Sequence, residues 1–353
     1  MVIKKNLLLI GAIALATLIN SCGQNNQVSN ATGENQTATE ESQPITLTLA
    51  SFAVTQSAYE KIIPQFAQQW EEKTEQKVTF NQSYGGSGSQ TRAVIDGLEA
   101  DVVALALSAD VEKIESAGLI EAGWQQENPD NSIVTKSVVA FVSRDGGKQA
   151  KTWTDLTNPD IKVITANPKT SGGARWNFMA LWGQVIQSGG TTQQAEDYVT
   201  QIYGNVPILP KDAREASDVF YKQGQGDILL NYENEILLAE LKGEKQPYVV
   251  PTDYNISIDN PVAVVDQYVD KNGTREVAEA FVEYLFTPEA QREFAKVGFR
   301  PSNPEIFKEF ENQYPPIENL FTIDDFGGWA KVQDQFFGEG GVFDQMFARI
   351  NKK

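Results

Sequence analysis

Three segments of this chain place small residues where a helix is about to begin. They are Tyr84-Gly85-Gly86-Ser87-Gly88-Ser89, Asn167-Pro168-Lys169-Thr170-Ser171-Gly172-Gly173-Ala174-Arg175 and Pro210-Lys211-Asp212-Ala213-Arg214-Glu215. A helix start presents unpaired N–H groups and a partial positive charge. Glycine lets that backbone approach a ligand closely, and a serine hydroxyl adds a donor. Together these features suit the binding of an oxyanion. Taken singly, each turn reads more readily as a plain flexible turn than as a ligand cradle, and Arg175 and Arg214 read equally as surface ion-pair residues.

Residue types remove most other chemistries. The 353 residues contain no histidine and one cysteine. A Ser-His-Asp triad, a Cys-His dyad and a His-ligated zinc are therefore excluded, as are an internal disulfide and a Cys-rich metal cluster. Neither G-x-x-x-x-G-K-[ST] nor G-x-G-x-x-G occurs, so a nucleotide site lacks its motif. Glu233 and Glu235 offer a carboxylate pair of the kind used in hydrolysis. At a strand-to-helix junction they read instead as capping and surface residues, and no catalytic residue, metal or cofactor is expected. The balance of 29 Lys+Arg against 47 Asp+Glu, a net charge of −18, speaks against a nucleic-acid-binding surface. With 41% hydrophobic and 22% charged residues, the composition is that of a soluble globular protein, and the length fits two domains.

The N-terminus reads as an address. Lys4 and Lys5 precede an uncharged apolar run, Leu7 to Ile19, which ends in Asn20-Ser21-Cys22-Gly23. This is the form of a secretory signal, and it is too short for a spanning helix, which needs about 20 apolar residues. Residues 1–21 resemble a bacterial lipoprotein signal, although Asn20 is unusual there. That resemblance implies cleavage before Cys22 and lipid attachment to its sulfur. Gly23 to Pro44 is polar and reads as a disordered tether, about 22 residues with a reach of roughly 25 Å.

From Ile45 onward strand and helix alternate. Ile45 to Ala50, Val78 to Gln82 and Asp101 to Leu107 carry strand patterns. Ser57 to Glu60 has the form of a capping box, followed by an apolar face of Tyr59, Ile62, Ile63, Phe66 and Trp70. Later strands are expected at Ser137 to Ser143, Ile161 to Thr165, Asp227 to Asn231, Tyr248 to Val250 and Pro261 to Val265, with helices between them. The series predicts an α/β protein of two lobes, with mostly parallel sheets flanked by helices and a ligand cleft between the lobes. The chain crosses near Thr135–Val138 and Pro251–Ile258. Lobe 1 then comprises residues 45–136 and 253–353, including the C-terminal helices, and lobe 2 comprises residues 137–252.

The run Asn167-Pro168-Lys169-Thr170-Ser171-Gly172-Gly173-Ala174-Arg175 resembles the diagnostic motif of the bacterial periplasmic sulfate-binding protein family. The resemblance extends from about Ile45 to the C-terminus. It takes in Gln82 to Gly88, Glu99 to Ala106, Asp227 to Glu235 and Phe326 to Ala330. It implies the type II periplasmic-binding-protein fold and an extracytoplasmic, monomeric receptor. Such a receptor hands sulfate, or thiosulfate, to the membrane permease of an ABC-type importer. It also implies ligand contacts at Ser87, Ser171, Gly172, Gly173, Ala213 and Tyr232, with Gly86, Arg175 and Arg214 supporting them from behind. Tyr232 stands where the family's prototypes carry an indole donor, and Ala53 where they carry an acidic residue. Tyr84 replaces a histidine found in some members. A receptor for molybdate, tungstate or another tetrahedral oxyanion, and an anion sensor without transport, are the alternative readings.

Sulfate near neutral pH has no proton and only accepts hydrogen bonds. Phosphate still carries one and gains from a carboxylate that accepts it. Donor groups such as backbone N–H, hydroxyl and phenol therefore favour sulfate, each charge-assisted bond being worth roughly 1.5–3 kcal/mol. The negative surface is no obstacle, because charges beyond a Debye length of about 8 Å are screened.

Overall fold

The computed structural model describes residues 43–351. The signal-like segment, Cys22 and all but the end of the polar tether lie outside the described residues. Two sheets organise the chain. The first has six strands in the order Arg300–Pro301, Ile133–Ser137, Ile258–Val264, Val102–Ala104, Ile45–Phe52 and Val78–Gly85. The second has four, in the order Val163–Ile164, Ile228–Tyr232, Val139–Ser143 and Tyr248–Val249. A two-stranded ribbon joins Tyr254–Ile256 to Asn319–Phe321.

Strand direction follows from how the chain passes between the sheets. Ile45–Phe52 pairs in parallel with Val78–Gly85 and with Val102–Ala104, as βαβ units require. Ile133–Ser137 and Val139–Ser143 then form one extended run, interrupted only at Val138, that leaves the first sheet and enters the second. The returning run, Tyr254 to Val264, travels the other way. Ile258–Val264 therefore pairs antiparallel with both Ile133–Ser137 and Val102–Ala104. In the second sheet Val139–Ser143 is antiparallel to both its neighbours. The sheets are thus mixed and not mostly parallel, because two opposed crossings share them. Buried Asn255 fastens the crossings together, accepting from the Val139 N–H at 3.1 Å and donating to the Val139 carbonyl at 2.8 Å.

Local signals shift by a few residues. The first long helix, Gln56–Thr74, buries Tyr59, Ile62, Ile63, Phe66 and Trp70 as its periodicity predicts. The capping box expected at Ser57 does not form. A 3-10 turn, Ala53–Thr55, runs straight into the helix, and the Thr55 hydroxyl donates to the Phe52 carbonyl at 2.7 Å. The central helix begins at Gly172, where the Ser171 hydroxyl caps it by accepting from the Ala174 N–H. Gly172 and Gly173 therefore sit in its first turn.

Past residue 319 the chain packs on this central helix, Gly172–Gln187, which also packs against strands of the second sheet. Trp329 meets Trp176 edge-on at 4.6 Å, and Phe336, Phe337 and Phe343 surround Phe178 at 5.9, 5.3 and 6.2 Å. In the sequence reading residues 253–353 travel with the first lobe. Ile258–Val264 and Arg300–Pro301 do join the first sheet, whereas these aromatics pack on the central helix that lies against the second. Truncating Phe178, which is fully buried, removes the centre of this cluster. Phe178→Ala is expected to lower unfolding stability by about 3–5 kcal/mol in urea titration.

Candidate functional site

The three glycine and serine turns meet at one point. A methyl built on Gly86 would stand 2.5 Å from the Thr170 carbonyl oxygen and 3.1 Å from that of Lys211. One on Gly172 would stand 2.5 Å from the Ala106 Cβ and 3.2 Å from the Ser87 Cβ, and one on Gly173 would be 2.6 Å from the Tyr232 ring. All three positions lack room for a side chain: Gly86 meets backbone across the cleft, Gly172 meets the Ala106 and Ser87 side chains across it, and Gly173 meets the Tyr232 ring on its own side. Between them lies a small cavity, with about 190 Å³ of empty space counted out into open solvent.

Its wall includes Ser87, Ser171, Gly172, Gly173, Ala213 and Tyr232, together with Gly86. The structure thus brings every predicted contact residue to one place. Ser87 opens helix Ser87–Ile95, Gly172 opens Gly172–Gln187 and Ala213 opens Ala213–Tyr221, which Asp212 caps. Three sets of first-turn N–H groups therefore converge. Ala53, which opens the 3-10 turn Ala53–Thr55, is also on the wall. It was seen in the sequence only as a departure from an acidic residue. Among the lining residues only Asp212 is charged, and its carboxylate accepts from the Glu215 N–H at 2.8 Å.

The hydroxyls differ in use. Ser87 was expected to bring a donor hydroxyl, but it donates to Asp110 at 2.8 Å and accepts from the Ala106 N–H at 3.1 Å. What it offers the cavity is its N–H. The Ser171 hydroxyl accepts from Ala174 and keeps its own hydrogen. Tyr232, 1% exposed, has a hydroxyl with no partner among the described residues. Burial, with Glu235 and Asp110 nearby, pushes its phenol well above the ordinary tyrosine range, so it stays protonated.

Neither arginine lines the cavity; both are committed behind it. Arg175, 4% exposed, donates to Asp110 at 2.8 Å and to the Pro168 carbonyl at 2.9 Å. Burial raises the Asp110 pKa, but the Arg175 and Lys113 cations and the bonds from Arg175 and Ser87 outweigh it and hold the carboxyl below its ordinary value. Arg214 forms a bidentate pair with Glu235 at 2.7–3.1 Å and donates to the Val54 carbonyl at 3.1 Å. Glu233 is held by Arg300 at 2.7 Å. The two carboxylates weighed as a hydrolytic pair are thus each bound to a separate arginine. Trp176 adds a further tie by donating to the Ala106 carbonyl at 2.7 Å.

The pattern of the family described as bacterial extracellular solute-binding protein matches residues 47–300. The fold and the closed, donor-lined cavity between two sheets are those of an extracellular solute-binding protein. The chain is 59% identical over 343 residues to a protein named sulfate-binding protein from Synechocystis sp., covering 97% of this chain and 96% of that one. It is 44% identical over 310 residues to the sulfate-binding protein of Escherichia coli, covering 86% and 94%. The solved structure of the sulfate-binding protein SubI from Mycobacterium tuberculosis superposes with a TM-score of 0.76 at 34% identity, over 83% of this chain and 99% of that one. The chain belongs to the bacterial periplasmic sulfate-binding protein family.

Two tests follow from the contacts. Gly172→Ala places a methyl inside van der Waals distance of Ala106 across the cleft, disfavouring the closed arrangement by about 1–3 kcal/mol. Small-angle scattering is expected to show a more expanded particle than wild type; an identical profile would contradict the contact. Asp110→Asn leaves Arg175 buried without its counter-charge and is expected to cost about 3–5 kcal/mol. A lowered pKa means the ion pair's stabilisation is complete above the ordinary aspartate value of 3.8 and is lost as pH falls through the lower folded value. The stability gap between wild type and Asp110→Asn should therefore narrow in urea titrations carried from about pH 6 to about pH 3.

Proposed function

We propose that this protein is the extracytoplasmic receptor that binds sulfate and delivers it to an ABC-type importer. The observation that carries this reading is the convergence of three helix starts on a small cavity whose wall carries no lysine or arginine. Such a wall donates through N–H and hydroxyl groups, and Tyr232 brings a buried hydroxyl with no partner among the described residues. The contacts to the anion are assigned to the N–H groups of Ser87, Gly172, Gly173 and Ala213 and to the hydroxyls of Ser171 and Tyr232. Gly86, Arg175 and Arg214 hold these turns in place. The relatives named for sulfate support the same ligand, and a thiosulfate-binding protein of Pseudomonas aeruginosa, 35% identical over 301 residues, makes thiosulfate the second ligand to test.

Residues 45–136 with 253–318, and residues 137–252 with the aromatic segment past residue 319, form the two lobes that close over the ion, and the protein acts as a monomer. The lipobox-like context of Cys22 supports anchoring to the outer face of the plasma membrane, with the polar tether leaving the lobes free to reach the permease. Receptors of this kind bind and release their ligand without chemistry, and a sulfate ester incubated with the protein should release no sulfate.

Calorimetric titration of the mature protein at pH 6, 7 and 8 tests the reading. Sulfate is expected to bind at one site with an affinity constant to within about threefold, because sulfate carries no proton in this range and the chain contains no histidine. Thiosulfate and molybdate titrations rank the alternatives. An absence of heat with every one of these anions, or a steep pH dependence for sulfate, would contradict it.

A further inference from the structure

Ser87, Ser171 and Tyr232 bring hydroxyls to the residues that wall the cavity, and the protein fixes only two of them. Ser87 has given its hydrogen to Asp110 and accepts from Ala106. Ser171 accepts from Ala174, which leaves its hydrogen free for a ligand. Tyr232 is bonded to nothing among the described residues, although its oxygen is buried. It lies directly against the first turn of the central helix, where a methyl on Gly173 would stand 3.0 Å from the Tyr232 hydroxyl oxygen.

A phenol donates one hydrogen and also accepts, and its hydrogen rotates to suit its partner. Backbone N–H groups only donate. Facing an oxyanion without a proton, Tyr232 adds one more donor. Facing an oxyanion that carries a proton, it can turn and accept that proton while the N–H groups of the three helix starts still donate to the remaining oxygens. Asp212, the charged residue on the wall, has its carboxylate turned to the Glu215 N–H.

Resting on the sulfate reading, we infer that Tyr232 is the specificity-determining residue of this site, and that its hydroxyl admits singly protonated tetrahedral oxyanions, such as hydrogen phosphate, as weaker competing ligands. A side chain that only donates at this position would exclude them, since the proton on the anion would then face a donor and both would be left buried without an acceptor.

Titrations of wild type, Tyr232→Trp and Tyr232→Phe with sulfate and with inorganic phosphate at pH 7.5 test this. Wild type is expected to bind phosphate saturably but more weakly than sulfate. Tyr232→Trp, whose indole only donates, should weaken phosphate roughly tenfold or more beyond any change in sulfate. Tyr232→Phe removes only the oxygen and should weaken both ions roughly 10- to 100-fold. Thermal melts establish that each variant is folded; if the indole does not fit, the nearly isosteric Tyr232→Phe tests whether the hydroxyl contacts the ions, and saturable phosphate binding by wild type tests the admission of protonated anions. The inference is overturned if wild type binds sulfate but no phosphate, if the phosphate-to-sulfate ratio is unchanged in Tyr232→Trp, or if Tyr232→Phe keeps sulfate affinity within about twofold of wild type. Failure of wild type to bind sulfate would instead remove the receptor reading itself.

Discussion

A dianion taken out of water loses hydration worth many hydrogen bonds, and it must find groups already in position to replace it. On the proposed reading those groups are the N–H donors of helix first turns, and their use sets a strict steric condition. Residues carried by two sheets have to approach closely enough to share one small cavity. Gly86 and Gly172 meet that condition, since a methyl on either would stand 2.5 Å from atoms across the cleft, and Gly173 leaves room for the Tyr232 ring beside it. The crossing strands fastened by Asn255 and the caps at Ser171 and Asp212 all keep those turns in register.

Full charges act behind the cavity wall. Asp110 links the Ser87 hydroxyl to Arg175, and Arg175 in turn holds the Pro168 carbonyl, so two of the three turns are tied through one buried carboxylate. Arg214 joins Glu235 to the Val54 carbonyl beside the third turn. Both cations are matched by carboxylates, and neither lines the cavity. An acidic protein with a net charge of −18 is therefore compatible with an anion ligand: charge balances locally among these pairs, while the donors facing the cavity are dipoles.

Much of this was legible in the sequence because helix starts are written locally. Ser171 before Gly172-Gly173, and Asp212 before Ala213, are caps whose chemistry spans only a few residues. The α/β alternation was legible for the same reason. What escaped depends on distant partners. The expectation of a donor hydroxyl at Ser87 failed because Asp110 stands 23 residues away, and Arg175 found that same carboxylate across 65 residues. Local signals also lost where a neighbouring element competed, as when the 3-10 turn at Ala53 pre-empted the capping box at Ser57. The antiparallel crossings and the seat of the C-terminal aromatics on the central helix are set by the path of the chain, which periodicity does not encode.

Recognition by fixed backbone dipoles makes a claim about particular atoms, and amide nuclear magnetic resonance reads those atoms directly. With the protein labelled in nitrogen-15 and titrated to saturation with sulfate, the amide protons of Ser87, Gly172, Gly173 and Ala213 should move strongly downfield together. The guanidinium signals of Arg175 and Arg214 should stay close to their ligand-free positions. Large shifts confined to the arginine side chains, with those four amides unmoved, would contradict it.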